Sequence, residues 1–527
     1  MAGVGESWWD RYCEYHFADA GTGLSLDLSN VGFPDGHLDA MSARTDRVLA
    51  ELTWLETGRI DNVDDRRRVG HYWLRTPALA PDPRLAAEIE DSWAALDAFV
   101  ARVRRERRFR TVVHVGIGGS ATGPQLLCDA WRGRPGGLAV QVLDNADPDD
   151  VHRVLAELPG GPAETLVSVV SKSGITPTPW QVMLELERAY AHAGVDFASH
   201  AVATTVAGTE LDRHARRAGW LATFPLWEWV GGLTSVTSQA ALLPAALAGA
   251  DAREFLAGAS AMDAITRVRS VRDNPAALLA LAWHWLGNGR GDRNMVVLPY
   301  RDRLTVLPRW IQQLVMESVG KAVDRTGRTV RQGLTVYGYK GVTDQHTYMQ
   351  QLRDGRTDFF VTFIGTHRGA VPDPTDTEPG TNLADHLFGG LLGSAAALRE
   401  RGRPTIVLML PDYGERSLGA LVALYERAVG VYAELIDVNA YHQTGIDKYT
   451  ALPVLALQEE VLAHLAKAGE PMTAYAIADA AGHVADADVV HRLLDHLAAA
   501  RRDIVGMLPG RSPRDTRYVW AGGAGAG

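Results

Sequence analysis

Thr111-Val-Val-His-Val115-Gly-Ile-Gly-Gly-Ser120 is the stretch on which the fold turns. Five residues rich in β-branched side chains run straight into a glycine-rich turn, and a helix is predicted from near Gly123. The segment therefore reads as buried strand, tight turn and crossover helix. Working outward, the same alternation recurs at Leu138–Leu143, Thr165–Val170, Met295–Leu298, Phe359–Phe363 and Thr405–Leu410. Short apolar runs of this kind are strands of a parallel sheet covered on both faces. Asp263 to Trp285, apolar at Ile265, Val268, Val271, Leu278, Leu279 and Ala282, predicts one long helix. The strands fall into two groups on either side of a helical block. The expected fold class is α/β, with two doubly wound parallel-sheet domains and a helical N-terminal segment wrapped on one of them.

The end of the chain reads differently. Leu455–Ala468, Ala474–Ala481 and Ala487–Ala500 predict three helices, and Ile504–Leu508 and Tyr518–Trp520 two strands, the outline of a small winged-helix-like module. From residue 451 onward seven Lys/Arg stand against nine Asp/Glu, whereas a DNA-binding face must be basic. The module reads as a cap, and the glycine-rich tail from Ala521 as disordered.

Composition narrows the function classes. A chain of 527 residues with 46% hydrophobic and 22% charged residues is globular rather than disordered, and is long enough for about three domains. Its net charge of -10 argues against a nucleic-acid partner. Two cysteines, Cys13 and Cys128, cannot build a disulfide framework or a Cys-rich zinc module, and fit a reducing compartment. The first residues carry Glu6, Asp10 and Glu14 rather than a basic and then apolar signal. The longest apolar stretch, Ala240–Ala250, is short of the ~20 residues of a membrane span and contains Pro244. A soluble cytoplasmic protein with no membrane partner is expected.

Four motifs carry chemistry. In Gly116-Ile-Gly-Gly-Ser120 the glycines allow a tight turn whose amides, with the Ser120 hydroxyl and a helix N-terminus, suit an anion. The motif lacks both the full G-x-G-x-x-G spacing and a P-loop lysine, which disfavours a dinucleotide or ATP. Ser171-Lys-Ser-Gly-Ile-Thr176 closes a second strand, and two such loops in one doubly wound domain converge on one crevice. Ser120, Ser171, Ser173 and Thr176 would match the oxygens of a phosphate monoester, with Lys172 as a point charge. In Gln312-Gln-Leu-Val-Met-Glu-Ser-Val-Gly-Lys321, Glu317 interrupts an apolar helical face. It is either one half of a solvated i,i+4 pair with Lys321 or a partly buried general base, and spacing leaves both open. Gly338-Tyr-Lys-Gly-Val-Thr-Asp-Gln-His346 offers a loop histidine, either an oriented acid–base group or a surface side chain. No metal-binding spacing is present.

Taken in order, Gly116–Ser120, Ser171-Lys-Ser173, Met316-Glu-Ser-Val-Gly-Lys321 and Thr343-Asp-Gln-His346 resemble glucose-6-phosphate isomerase, in its bacterial and plant form with a C-terminal extension. Val69-Gly-His-Tyr-Trp-Leu-Arg75, Trp229-Val-Gly-Gly232, Tyr348–Gly355 and Asn439-Ala-Tyr-His-Gln443 support the resemblance, which spans most of the chain. It implies two sugar-isomerase (SIS) domains of flavodoxin-like topology, no cofactor, a sugar phosphate substrate and a homodimer. The implied division is an N-terminal segment 1–104 packed on the second α/β domain, SIS domains 105–290 and 291–455, and an extension 456–527. By resemblance Gly119, Ser120, Ser171, Lys172, Ser173 and Thr176 hold the phosphate, and Gln313 and Gln443 bind hydroxyls or phosphate. Glu317 moves the proton between C2 and C1, His346 from the neighbouring subunit assists ring opening, and Lys448 is the candidate catalytic cation.

Three positions depart from the family pattern. Leu233 stands where the family has an enediolate-stabilising arginine, and Thr450 where it has a lysine, with Lys448 two positions early. Thr178 and Pro179 replace a Glu-Thr pair after the second phosphate loop. Loss of one such charge stabiliser costs ~10²–10³ in rate. Three activities fit this pattern: glucose 6-phosphate isomerisation with another cation in place, proton transfer on a different phosphorylated sugar, or phosphosugar binding without catalysis.

Overall fold

The structure, a computed structural model, describes residues 8–59, 62, 64, 66–370, 375–442 and 452–522. The N-terminal segment comprises α1 (Trp8–Tyr15), β1 (His16–Ala18), β2 (Ser25–Asp27), α2 (His37–Glu56) and α3 (Pro83–Glu106). There follow β3 (Thr111–Val115), α4 (Gly119–Ala130), β4 (Ala139–Leu143), α5 (Pro148–Glu157), β5 (Thr165–Val170) and α6 (Pro177–His192). Then come β6 (Ala201–Val206), α7 (Glu210–Ala218), β7 (Ala222–Leu226), α8 (Gln239–Leu247), α9 (Ala252–Thr266) and α10 (Pro275–Leu286). The second half holds β8 (Asn294–Pro299), α11 (Leu307–Val319), β9 (Lys321–Val323), β10 (Thr329–Gln332), β11 (Val336–Tyr337) and α12 (Met349–Asp354). It closes with β12 (Phe359–Thr366), β13 (Asp376–Glu378), β14 (Thr381–Asn382), α13 (Leu383–Glu400), β15 (Thr405–Leu410) and α14 (Glu415–Leu435).

The first sheet has the order β4-β3-β5-β6-β7 and is wholly parallel. Side chains alternate across it, so each face has its own core. Val112, Leu166 and Val202 pack with α4 and α8, while Val113, Val167 and Ala203 pack with α5, α6 and α7. The second sheet runs β1-β2-β15-β12-β8-β11, with β15, β12, β8 and β11 mutually parallel. The N-terminal hairpin adds antiparallel at its edge, through Leu26 opposite Leu408. The N-terminal segment thus serves both halves: α2 packs on α14, and α3 packs on α8.

Several expectations shift in detail. Asp263–Trp285 is not one helix. α9 ends at Thr266, and Asn274 caps a new helix by accepting from the amides of Ala276 and Ala277, with Pro275 at its first position. The helix expected near Gly123 already begins at Gly119, because Gly118 takes the turn at φ 58°. Strands β6 and β7 were not foreseen.

The chain divides into two compact units, 1–442 and 443–527, and both sheets belong to the first. In the second, α15 (Leu452–Ala468), α16 (Ala474–Ala480) and α17 (Ala487–Ala500) join β16 (Met472–Thr473), β17 (Val505–Leu508) and β18 (Arg517–Trp520). The strands form an antiparallel sheet of order β16-β18-β17 around a core that includes Val461, Ile477, Leu494 and Tyr518. Most of the tail expected to be disordered lies outside the described residues. No helix among the described residues is long and apolar enough to cross a membrane.

Candidate active site

Strand order places the first two motifs. β3 and β5 are neighbours, and their crossovers leave in opposite directions, so the turns after them flank the reversal point of the sheet, where doubly wound folds leave a crevice. The β3 turn is held tightly. Gly118 lies where a Cβ would be 3.0 Å from the Gln313 amide nitrogen, and a Cβ on Gly119 would strike the Gly232 carbonyl oxygen at 2.0 Å. Ser120 falls in the first turn of α4, half-buried. Its carbonyl accepts from His114 Nε2 at 2.7 Å. His114 is fully buried, and desolvation lowers its pKa to about 4, so the imidazole is neutral.

At the β5 turn the hydroxyls converge. Thr176 Oγ1 lies 3.0 Å from Ser171 Oγ and 3.2 Å from Ser173 Oγ, and Ser171 Oγ accepts from the Gly174 amide at 3.1 Å. Thr176 is also the N-cap of α6, yet its hydroxyl makes no capping bond. Lys172 was expected on the phosphate. Its ammonium instead donates to the carbonyls of Glu228 (2.9 Å) and Val230 (2.7 Å), bracing the turn that leads to Gly231 and Gly232.

The second half of the fold supplies the third motif. Gln313, at the middle of α11, accepts through Oε1 from Thr122 Oγ1 at 2.9 Å, joining α11 to the first turn of α4. Glu317 is four residues further along the same helical face, half-buried, while Leu314, Val315 and Ser318 are buried behind it. Lys321 is not a solvated partner. It is 9% exposed, and its Nζ donates to the carbonyls of Glu317 (2.7 Å) and Ser318 (2.8 Å). Burial lowers its pKa to about 8, against the opposing pull of the Glu317 carboxylate.

Leu233 begins the buried side of the short helical segment Gly232–Thr237, which packs against both α4 and α11. At 8% exposure its side chain belongs to the main core. Of two other cations in the second half of the fold, Lys340 pairs with Asp302 at 3.0 Å, and Arg309 is exposed two turns before Glu317. Gln443, Lys448 and Thr450 lie outside the described residues. His346 ends the short turn Thr343–His346 and is exposed, with no hydrogen-bond partner among the described residues. Its neighbours are fixed: Asp344 accepts from the Tyr339 amide at 3.1 Å, and Gln345 donates to the Gly390 carbonyl at 2.8 Å. Among the described residues no group of three or more His, Cys, Asp or Glu side chains is arranged to hold a metal.

Sequence reasoning missed Thr122 and His114, which act through contacts that only the folded chain brings together.

The chain finds its match in known proteins. The phosphoglucose isomerase family model matches residues 49–378. This chain belongs to that family. The glucose-6-phosphate isomerase of Geobacter sulfurreducens is 49% identical over 501 residues, covering 93% of this chain and 95% of that protein. That of Trichormus variabilis is 44% identical over 94% and 96% of the two. Among solved structures, a glucose-6-phosphate isomerase from Chlamydia trachomatis aligns with TM-score 0.78 at 26% identity, over 86% of this chain and 91% of that one. The hypothetical protein TT0462 of Thermus thermophilus gives 0.70 at 28% identity, over 82% and 99%.

Proposed function

We propose that this chain interconverts glucose 6-phosphate and fructose 6-phosphate through an enediol(ate), as a cytoplasmic homodimer. In this reading the residues 105–290 and 291–455 are its two SIS domains. Ser120, Ser171, Ser173 and Thr176, with the Gly119 amide, hold the phosphate, and Gln313 binds a hydroxyl beside them. Glu317 takes the C2 proton, and the C–H electron pair forms the C1=C2 bond while the C1=O π pair moves onto O1, which takes up a proton. The Glu317 proton then returns to C1 as O2 loses its proton and the carbonyl forms at C2. Because one carboxylate serves both carbons, no second base is required. Such positioned acid–base catalysis contributes ~10²–10⁴-fold, and anchoring through the phosphate adds to it.

The observation that carries this reading is the Thr122–Gln313 hydrogen bond at 2.9 Å. It ties the helix bearing Glu317 to the helix whose first turn holds Ser120, and Glu317 follows Gln313 by four residues, ~6 Å along that helix axis. Proton exchange in heavy water tests it. The wild-type protein should incorporate deuterium at C2 of glucose 6-phosphate. Glu317→Gln should abolish that exchange and leave phosphosugar binding nearly unchanged. Exchange that survives the substitution removes Glu317 from the mechanism. Leu233 favours a second reading, in which the same proton transfer serves another phosphorylated sugar. Faster exchange into a different phosphosugar than into glucose 6-phosphate would select it.

A further inference from the structure

The second sheet repeats the topology of the first. Along β11-β8-β12-β15 the strand order reverses between β8 and β12, as it does between β3 and β5. By the same rule the turns leaving the carboxyl ends of β8 and β12 border a second crevice. In the first domain those turns present serines. Here they present Arg301, two residues after β8, and Thr366, the last residue of β12.

The Arg301 guanidinium bridges the two turns. Nε donates to Thr366 Oγ1 at 2.6 Å and Nη2 to the Thr366 carbonyl at 3.4 Å. Nη1 has no hydrogen-bond partner among the described residues, and Gly369 borders it closely enough that a Cβ there would lie 3.4 Å away, in van der Waals contact. The side chain is half-buried, and no carboxylate among the described residues compensates it. Burial accordingly lowers its pKa from the usual arginine value, opposed only by Tyr413. The neighbouring cations are already paired, Arg368 with Asp412 at 3.2 Å and Lys340 with Asp302 at 3.0 Å. Partly desolvated charges in proteins are as a rule paired, and a guanidinium with a free edge matches two oxygens of a phosphate. The N-terminus of α11, which lies at the same end of the sheet, has no side-chain cap and adds a favourable dipole.

We propose that the crevice between the β8 and β12 turns is a second oxyanion site, in which Arg301 binds the phosphate group of a phosphorylated metabolite. An anion held there would stand at the start of α11, roughly 15 Å along the helix axis from Glu317. Within one chain the site is therefore separate from the proposed catalytic crevice.

Equilibrium dialysis of the full chain with radiolabelled inorganic phosphate tests the proposal without reference to activity. The wild type should bind two phosphates per chain. Arg301→Gln should bind one, and Ser120→Ala/Ser173→Ala should retain one that disappears when Arg301→Gln is added. Affinity at the retained site should fall more than tenfold with Arg301→Lys, which keeps the charge and loses the fork. Without phosphate, Arg301→Gln should melt no lower than the wild type, since an uncompensated charge has been removed. One phosphate per chain in the wild type, or two retained in Arg301→Gln, overturns the site. A lower melting point in Arg301→Gln with undiminished phosphate binding assigns Arg301 to a structural clasp between the turns.

Discussion

His114 shows how much one buried polar side chain can decide. It sits in β3, a strand buried along its whole length, and its Nε2 donates to the Ser120 carbonyl at 2.7 Å. Gly116 makes room for that carbonyl, since a Cβ there would lie 2.3 Å from it. His114→Leu should therefore loosen the phosphate turn and weaken phosphosugar binding about 3- to 10-fold, the net worth of one neutral hydrogen bond. His114→Gln, which keeps a donor, should recover most of the loss, and kcat should change little in either. The residue also sets a pH dependence. Unfolded, histidine takes a proton near pH 6.5, whereas folded it resists until about 4, so the unfolded state binds more protons in between. Stability should fall as pH drops through that window, by up to about 3 kcal/mol from this group. Urea midpoints at pH 7 and pH 5 should diverge more for the wild type than for His114→Gln; parallel shifts would refute the assignment.

At the scale of elements, what the sequence discloses depends on whether a signal is local. β3, β5 and β15 begin and end where their apolar runs do, because strands covered on both faces need continuous apolar residues. The 263–285 helix failed because periodicity continued across Asn274 and Pro275, where capping chemistry overrides it. Lys172 looked like a phosphate ligand from its neighbours. Its carbonyl partners lie 56 and 58 residues away, and no local pattern announces them. The charged cluster beneath the N-terminal segment was equally hidden. Arg75 pairs with Asp263 at 2.8 Å and with Glu426, and Arg427 pairs with Glu56 at 3.1 Å, all essentially fully buried. Three elements, α2, α9 and α14, meet there with the 71–75 turn. Tyr72 lies under Arg427 and touches the Tyr441 hydroxyl at 3.2 Å. Removing one partner leaves a charge stranded without water. Asp263→Ala should cost about 3–5 kcal/mol in urea unfolding. Asp97→Ala, which breaks the exposed Arg253–Asp97 pair of 2.8 Å, should cost no more than about 1 kcal/mol. Equal costs would mean that the buried cluster is hydrated.

For the whole molecule the telling fact is where Glu317 and His346 lie. α11 starts beyond the carboxyl end of β8 and runs back along the sheet, so Glu317, ten residues in, is carried roughly 15 Å from that end. The His346 turn stays there, with the Gly341 amide donating to the Pro299 carbonyl at 3.1 Å and Gln345 to the Tyr300 hydroxyl at 3.0 Å. One chain therefore holds the proposed base and the proposed ring-opening histidine at opposite ends of a sheet. A second copy can unite them, and the surface beside His346 is suited to one. Gln345 reaches α13, on which Phe388 and Leu392, one turn apart, are 39% and 50% exposed. Exposed apolar side chains paired in this way favour burial against a partner. The consequence is a complementation test. Glu317→Gln and His346→Ala should each be nearly inactive alone. Unfolded together and refolded as a mixture, they should regain up to about a quarter of wild-type activity, because half of the dimers are then mixed and each mixed dimer holds one intact site of its two. Co-refolding that restores nothing, with mixed dimers demonstrated by mass, would mean that His346 serves its own chain or no site at all.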